Sequence, residues 1–348
     1  MNLKKDIALA DRQFTAGALF AGIGGFCLGF SGAGIKTVWA VENDENAVKT
    51  YLKNINDVRV ITHEDKPADI RNVKVINDDL EPVDVLHAGF PCQSFSIAGN
   101  RNGFNDERGK LFFEIIRIVN EFKDKKPSVI VLENSPNIKN GGDGAWFVEI
   151  KKELQRAGYW FRESNAQELD IYELTTLPQK RNRLFMVAFS RNHFKSGKFT
   201  FPHTHNTEDK SLSSLVGFDK ALSDDYYYLD EHNRYYKMIS NEVEDTSCIY
   251  QLRKYLVRVK ERDVCPTLTA NMGLGGHNVP FIHDQKGLRK LTEYECLKIQ
   301  GFPDRFMFPD EVARSKRYMQ VGNSVSVPVA RLLAEQVRKK IIEDRKNG

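Results

Sequence analysis

The sequence predicts an α/β fold, in which a mostly parallel, doubly wound (Rossmann-like) sheet is joined by a smaller, irregular, β-rich domain. Short apolar segments alternate with helix-like segments through the first 190 residues. Glycine-rich or polar turns follow several of these apolar segments. The alternation then disappears until a C-terminal helix. Alternating strands and helices are typical of a parallel sheet covered by helices.

Length and composition limit the class of protein. The 348 residues are 41% hydrophobic and 28% charged, which fits a folded chain with a sizeable core and excludes disorder and collagen-like repeats. The 51 basic and 47 acidic residues give a net charge of +4, which permits an anionic partner without demonstrating one. The five scattered cysteines form no C-x-x-C pair. No uncharged run approaches the roughly 20 residues of a membrane helix. We therefore expect a cytoplasmic protein with no disulfide framework, metal site or membrane contact.

The elements follow in order along the chain. Apolar runs predict strands at 15–20, 37–41, 83–88, 127–132 and 183–189. Helices are predicted at 26–33, at 111–122, where apolar residues recur with helical period, and at 327–342. We expect an α/β domain over 1–189, an irregular domain over 190–304, a hinge over 305–320 and a segment over 321–348 that returns to the first domain.

A glycine-rich turn follows the first predicted strand. Phe20 begins the stretch Phe-Ala-Gly-Ile-Gly-Gly, and Glu42 ends the next strand, 20 residues after Gly22. Glycines let a ligand approach the backbone, and the carboxylate can accept hydrogen bonds from ribose hydroxyls. Cys27 occupies the place of the third glycine of dinucleotide-binding motifs. The pattern therefore favours a nucleoside ligand without a pyrophosphate, such as S-adenosylmethionine, over a nicotinamide or flavin cofactor. A turn that serves only chain reversal is the structural alternative.

Three more clusters stand where ligands bind in an open parallel sheet, at the ends of strands. Cys92 follows a strand and a proline, which places a thiol for exposure, although most cytosolic thiols are inert. Glu133 ends an apolar strand, where a carboxylate is costly unless it is used or paired. Arg181 and Arg183 alternate before another strand and so face opposite sides. A capping glutamate and a solvated basic patch are the structural alternatives.

The order of these clusters resembles that of cytosine-C5-specific DNA methyltransferases of bacterial restriction-modification systems. The resemblance spans residues 20 to about 330, and its proline-cysteine-glutamine and Q-x-R-x-R motifs are the most specific parts. The matching stretches are Phe20–Gly25, Glu42, Asp69-Ile70, Gly89–Ser94, Gly109–Phe113, Glu133-Asn134, Gln179–Arg183, Arg289–Asp304 and Gly322–Val325. One departure is Ser135, where the family usually has valine. The resemblance makes 1–189 the catalytic and cofactor-binding domain and 190–304 the target-recognition domain.

The resemblance implies a mechanism on a cytosine flipped out of duplex DNA. The thiolate of Cys92 adds to C6, Glu133 hydrogen-bonds or protonates N3, and C5 takes a methyl group from S-adenosylmethionine. Arg183 lies near the cytosine O2 and Arg181 supports the site. The carbonyl of Phe90 meets the exocyclic amine. Loss of the C5 proton then expels Cys92.

The same resemblance assigns the binding residues. The cofactor contacts are Phe20, Gly22, Ile23, Gly24, Gly25, Glu42, Asn43, Asp69, Ile70, Gly89, Pro91, Leu111, Asn323, Ser324 and Val325. The DNA contacts are Gln93, Ser94, Arg101, Arg108, Thr267, Asn271, Gly275, Gly276, His277 and Asn278, supplemented by Arg253 and Arg258. Residues 94–108 are expected to close over the flipped base. No metal is required.

Other functions stay open at this point. An RNA (tRNA) cytosine methyltransferase uses the same catalytic core, and the long second domain favours DNA because sequence selection needs a reader. A catalytically inactive DNA-binding module and a nucleotide-dependent oxidoreductase are disfavoured, the first by the complete set of catalytic residues and the second by Cys27. The expected partner is double-stranded DNA, with a monomeric chain and, in a restriction-modification system, a separately acting restriction endonuclease.

Overall fold

The computed structural model describes residues 12–91, 107–203, 210–219, 221–228, 234–240, 242–243, 245, 247–253, 256–259, 261–273 and 278–346. The described chain divides into two compact units. The first unit takes its residues from Met1–Leu169, Asn182–His203 and Val327–Gly348, and the second from Asp170–Arg181 and Thr204–Ser326.

A central sheet organises the first unit. Its strands are β1 (Phe14–Leu19), β2 (Ile35–Val41), β3 (Arg59–Val60), β6 (Val85–Gly89), β7 (Val129–Asn134), β8 (Tyr159–Trp160), β9 (Ala166–Asp170) and β10 (Asn182–Ser190), and β4 (Thr62–His63) and β5 (Lys66–Pro67) form a separate hairpin. The order is β3-β2-β1-β6-β7-β10-β8, with β9 beside β10. The pairs from β3 to β7 are parallel, whereas β10 runs antiparallel to β7 and β8. The predicted mostly parallel α/β fold is therefore confirmed.

Helices cover this sheet. They are α1 (Gly25–Gly32), α2 (Glu45–Asn54), α3 (Glu107–Glu121), α4 (Asn137–Asn140), α5 (Ala145–Arg156) and, at the end of the chain, α10 (Val327–Lys346). Every residue of β7 is buried, as expected of a central strand with helices on both faces. Helices α1 and α10 pack closely at Gly29, where an added Cβ would lie 2.5 Å from the Cβ of Ala330. Glycine at this position allows the two helices to approach.

The second unit has its own antiparallel sheet and core. The strands are β11 (Tyr250–Arg253), β12 (Leu256–Val259), β13 (Val279–His283) and β14 (Leu288–Lys290), in the order β12-β11-β13-β14, and the helices are α6 (Ile171–Leu174), α7 (Arg234–Ser240), α8 (Glu293–Ile299) and α9 (Arg314–Asn323). The fully buried Arg289 pairs with Asp284 at 2.7 Å and with Glu295 at 2.8 Å. Buried charge is tolerated here because two carboxylates surround the guanidinium. Helices α8 and α9 were not predicted from the sequence; α8 is only seven residues long, and α9 has apolar side chains only at Tyr318, Met319 and Val321.

Candidate active site

The glycine turn after β1 is shaped by positive backbone angles. Gly22 has φ +55° and Gly24 has φ +90°, a region that favours glycine. A Cβ added to Gly24 would lie 2.1 Å from Cδ1 of Ile55, so α2 packs directly on the turn. A Cβ added to Gly22 would meet nothing within 4 Å. The turn is therefore packed on one side and open on the other.

The carboxylate of Glu42 is hydrogen-bonded to the backbone of this turn. Its Oε2 atom accepts a hydrogen bond from the N–H of Gly22 at 2.8 Å, and its Oε1 atom accepts two at 2.9 Å from Asn43 and Asp44. Burial raises the pKa of Glu42, and the three backbone donors oppose that rise. The carboxylate is thus held in one orientation by the backbone on either side of it, with acceptor capacity left on Oε2.

A pocket of about 190 Å³ lies beside Glu42. Its lining residues are Phe20, Val41, Glu42, Asn43, Ala68, Asp69, Ile70, Arg71 and Leu111. Phe20, Ile70 and Leu111 offer apolar contact for a flat ring, and the carboxylates of Glu42 and Asp69 offer acceptors for hydroxyl or amino donors. These apolar side chains and acceptors fit an adenosine group. This is the part of S-adenosylmethionine that the family resemblance assigns to these positions. Val41, Ala68 and Arg71 line the pocket as well and were not predicted.

The segment that carries Asp69 and Ile70 is fastened to α3. Arg117 donates to the carbonyl of Ile70 at 2.7 Å and pairs with Glu114 and Glu121 at 2.7 and 2.6 Å. These carboxylates raise the pKa of Arg117 against the effect of its partial burial. Sequence reasoning missed Arg117, whose spacing from the two glutamates is also that of an ordinary helix-surface ion pair.

Cys27, at the place of a third glycine, is a buried structural thiol. The hydroxyl of Tyr51 donates to its Sγ atom at 3.2 Å, and His87 Nε2 lies 4.0 Å away. Burial raises the pKa of Cys27 and lowers that of His87 to about 3. The thiol therefore joins α1 to α2 within the core below the glycine turn.

The end of β6 leads to Pro91 and the predicted nucleophile Cys92, which lies outside the described residues. The next strand, β7, braces this end. Nδ2 of Asn134 donates to the carbonyl of Phe90 at 3.0 Å, and Oδ1 of Asn134 accepts from the N–H of Ser135 at 2.7 Å. The carbonyl of Phe90 is thus held in place by the side chain of Asn134.

Glu133 and Arg183 form an ion pair. Nε of Arg183, on β10, lies 3.2 Å from Oε1 of Glu133, on β7, and Glu133 is only 8% exposed. A nearly buried carboxylate is costly without a partner, and the guanidinium supplies one. Because β6 and β7 are paired in parallel, with Gly89 opposite Glu133, the carboxylate lies on the strand beside the one that leads to Pro91.

Arg181 belongs to the second unit, where it is 2% exposed. Its guanidinium donates to the carbonyls of Leu268, Gly322 and Ser324, the last two at 2.9 and 3.0 Å. Gln179 adds a bond to Gln300 at 2.7 Å and accepts from the N–H of Leu268 at 3.1 Å. These two residues of the Q-x-R-x-R motif thus hold together segments that are distant in the sequence.

Several predicted DNA-contacting residues form one polar chain in the second unit. Arg253 donates to Oδ1 of Asn278, Nδ2 of Asn278 donates to Oδ1 of Asn271 at 3.2 Å, and the Thr269 hydroxyl donates to the same oxygen at 2.7 Å. The hydroxyl of Thr267 donates to the carbonyl of Lys180 at 2.8 Å. The chain brings together donors and acceptors suited to base edges.

Of the remaining predicted residues, Ile23 is buried in the glycine turn, and Arg258 lies on β12 opposite Gln251. Asn323 ends α9, and Ser324 and Val325 follow it in the second unit. The others lie outside the described residues: Cys92, Gln93, Ser94, Arg101, Gly275, Gly276 and His277, as does the side chain of Arg108. Within the ranges that the structure describes, no three His, Cys, Asp or Glu residues form a group able to hold a metal ion. Of the helices described, none is long and apolar enough to span a membrane.

Two solved structures that share this fold are described as methyltransferases. EhMeth of Entamoeba histolytica has a TM-score of 0.71 at 18% identity, covering 96% of this chain and 99% of its own. Dnmt2 of S. pombe has a TM-score of 0.70 at 17% identity, covering 96% and 100%. At these identities the likeness shows the fold alone, and the chain has the fold of these two proteins.

Sequence comparison is more specific. The family model of the C-5 cytosine-specific DNA methylases matches residues 14–339. Type II methyltransferase M.Bsp6I of Bacillus sp. (strain RFL6) is 40% identical over 328 residues, 93% of this chain and 98% of the relative. Type II methyltransferase M.HaeII of Haemophilus aegyptius is 35% identical over 318 residues, 91% and 90% of the two chains. The chain belongs to the C-5 cytosine-specific DNA methylase family and is a DNA (cytosine-5-)-methyltransferase. The resemblance seen in the motifs is confirmed, and DNA is favoured over tRNA.

Proposed function

We propose that this enzyme methylates a specific cytosine of double-stranded DNA in the cytoplasm and protects that DNA within a restriction-modification system. The observation that carries the proposal is the ion pair of Glu133 and Arg183 on the strand beside the one that leads to Cys92. In this proposal a thiol adds to the pyrimidine ring, and a carboxyl group and a guanidinium stabilise the charge that the addition places on it.

The pocket residues would hold the adenosine part of S-adenosylmethionine. Glu42 would accept from the ribose hydroxyls with the capacity left on Oε2, and Asp69 would accept from the adenine amino group. The open face of Gly22 leaves room along the backbone for the methionine part, to which the resemblance adds Asn323, Ser324 and Val325. When bound, S-adenosylmethionine supplies the methyl group from its sulfonium.

Chemistry on the base begins with Cys92. Its thiolate forms a bond to C6, and the ring electrons released toward N3 are stabilised by a proton or a hydrogen bond that Glu133 donates in its protonated form. Arg183 stabilises negative charge at O2 and, by its ion pair, fixes the orientation of Glu133. C5, now electron-rich, receives the methyl group. Removal of the C5 proton by a base returns the electron pair to the ring and expels the thiolate.

Sequence selection falls to the second unit in this proposal. The polar chain from Arg253 through Asn278 to Asn271 carries amide and guanidinium groups that can read base edges in the major groove. Thr267 is proposed to contact the backbone near the target nucleotide. Gln93, Ser94, Arg101 and Arg108 are proposed to meet the flipped base and its phosphates. A single chain carries both pocket and reader, so we expect a monomer to act.

Labelled cofactor offered with duplex plasmid DNA or with tRNA tests the substrate. We expect methyl transfer to plasmid only, and detection of 5-methylcytosine by sequencing then identifies the target site. Transfer only to tRNA would overturn the proposal.

Duplex DNA carrying 5-fluorocytosine tests the nucleophile, because fluorine cannot leave C5 as a proton does. The wild-type enzyme and a matched control, Cys248→Ser, should form a covalent complex that Cys92→Ser does not form. Trapping by Cys92→Ser equal to wild type would remove Cys92 from the mechanism.

A further inference from the structure

Asp69 in the pocket is tied to its neighbour Arg71. Nε of Arg71 donates to Oδ1 of Asp69 at 3.0 Å, Nη2 donates to Oδ2 at 2.6 Å, and the backbone N–H of Arg71 donates to Oδ1 at 2.9 Å. The guanidinium therefore spans both carboxylate oxygens and sets the plane of the carboxylate. Both residues line the pocket.

The hydrogen bonds from Arg71 leave one acceptor site of the Asp69 carboxylate open. Each carboxylate oxygen has two lone pairs. Oδ1 of Asp69 receives two donors from Arg71 and is filled, whereas Oδ2 receives one from Nη2 and can accept one more. The arrangement thus presents a ligand with one acceptor, in a fixed direction, on an oxygen whose charge Arg71 maintains.

The ion pair of Asp69 and Arg71 contributes little to the stability of the fold. Arg71 is 59% exposed, and exposed ion pairs contribute little to folding because water and salt screen them. The backbone turn at this point has its own bond, from the N–H of Asn72 to the carbonyl of Asp69 at 2.9 Å. Because both residues line the pocket, the pair is expected to act on the bound ligand.

We propose that Arg71 is a positioning residue that orients Asp69 so that the pocket selects a purine with an amino group at C6 over one with an oxo group. The inference rests on the proposed placement of adenine beside Asp69. A C6 amino group donates to the open site on Oδ2, whereas a C6 oxo group is itself an acceptor and meets an acceptor there. Selection against a group that leaves polar atoms unpaired is stronger than selection by shape alone.

Binding of two probes by calorimetry tests the role of Arg71. S-adenosyl-L-homocysteine carries the amino group, and S-inosyl-L-homocysteine carries the oxo group. The wild-type enzyme should prefer the first, and Arg71→Ala should reduce the ratio of the two Kd values by about tenfold, the difference between a charge-assisted and an unoriented hydrogen bond. Arg71→Lys should not restore the ratio, because an ammonium cannot span both oxygens.

Two further readouts separate positioning from a structural effect. Arg71→Ala should raise KM for S-adenosylmethionine while leaving kcat at saturating cofactor and Tm unchanged. Arg156→Ala is the matched control, since Arg156 is similarly exposed and pairs with Glu153 on α5, away from the pocket. It should behave as wild type in every measurement.

The Asp69→Asn variant separates the orienting role of Arg71 from the placement of adenine beside Asp69. Equal weakening of both probes by Arg71→Ala, or no change in either, overturns the role of Arg71 if Asp69→Asn does change the ratio. An unchanged ratio in Asp69→Asn instead overturns the placement of adenine beside Asp69, and the role of Arg71 with it. Methyl transfer to DNA by the wild type reports on the proposed function independently.

Discussion

The Nε atom of Arg183 lies 3.2 Å from Oε1 of Glu133, and the two residues stand on neighbouring antiparallel strands of the central sheet. The guanidinium keeps a charge of fixed sign beside a carboxylate that is almost fully buried. Such a carboxylate interacts strongly with any charge that develops on a bound ring, because little water screens it. The pair therefore combines a structural need with a chemical use.

Replacing Glu133 by Gln should lower kcat by about 10²-fold or more, the usual contribution of a positioned proton donor. The amide keeps the shape of the side chain but cannot supply a proton to N3. Dissociation constants for cofactor and DNA should change little, as measured by calorimetry and gel shift. A Glu153→Gln variant on α5 serves as the control. Wild-type turnover in Glu133→Gln would remove the carboxyl group from the reaction.

The two arginines of the Q-x-R-x-R motif should respond differently to replacement. Arg181→Ala removes donors from three backbone carbonyls in a buried setting, and we expect the free energy of unfolding to fall by about 3–5 kcal/mol. Arg183→Ala should instead lower kcat. Urea unfolding measures the loss of stability in both variants, and steady-state kinetics measures the loss of kcat. Equal loss of stability in both would contradict this division.

Much of the fold was predictable because the strands are continuous apolar runs and because glycine, proline and carboxylate residues mark their ends. The partners of Arg181 were not predictable. Leu268 and Gly322 lie 87 and 141 residues away from it, and no local pattern encodes contacts over such separations. Arg71 was missed for the opposite reason. Its pairing with Asp69 is local, but a charged pair two residues apart is common on any surface.

Cofactor binding should depend on pH through Glu42. Its pKa is raised by burial, so the carboxylate takes up a proton at a higher pH than an ordinary glutamate. The proton competes with the ribose hydroxyls for the carboxylate, and affinity is therefore full above the raised pKa and lost as pH falls through it. Asp69, whose pKa is lowered chiefly by its hydrogen bond from Arg71, stays ionised through this change.

Calorimetry with S-adenosyl-L-homocysteine between pH 5 and pH 8 measures this dependence. The Glu42→Gln variant should bind more weakly at every pH, because its amide N–H must face backbone donors, and its affinity should not vary with pH. Parallel pH profiles for the wild type and Glu42→Gln would assign the titration to another group.

The stability of the folded chain should fall in mild acid because of His87. This ring is buried against Phe26 and near Cys27 and Thr37, and burial lowers its pKa to about 3 from the ordinary 6.5. Below pH 6.5 His87 therefore binds a proton in the unfolded chain but stays neutral in the folded chain. The contribution of the neutral ring to the free energy of unfolding is thus present at neutral pH and lost as pH falls. Between pH 7.5 and pH 5.5 the loss is about 1.4 kcal/mol.

In urea unfolding at these two pH values, His87→Gln should lose less stability than the wild type by about that amount, whatever its own absolute stability. An identical pH-dependent loss in both proteins would show that other groups cause it.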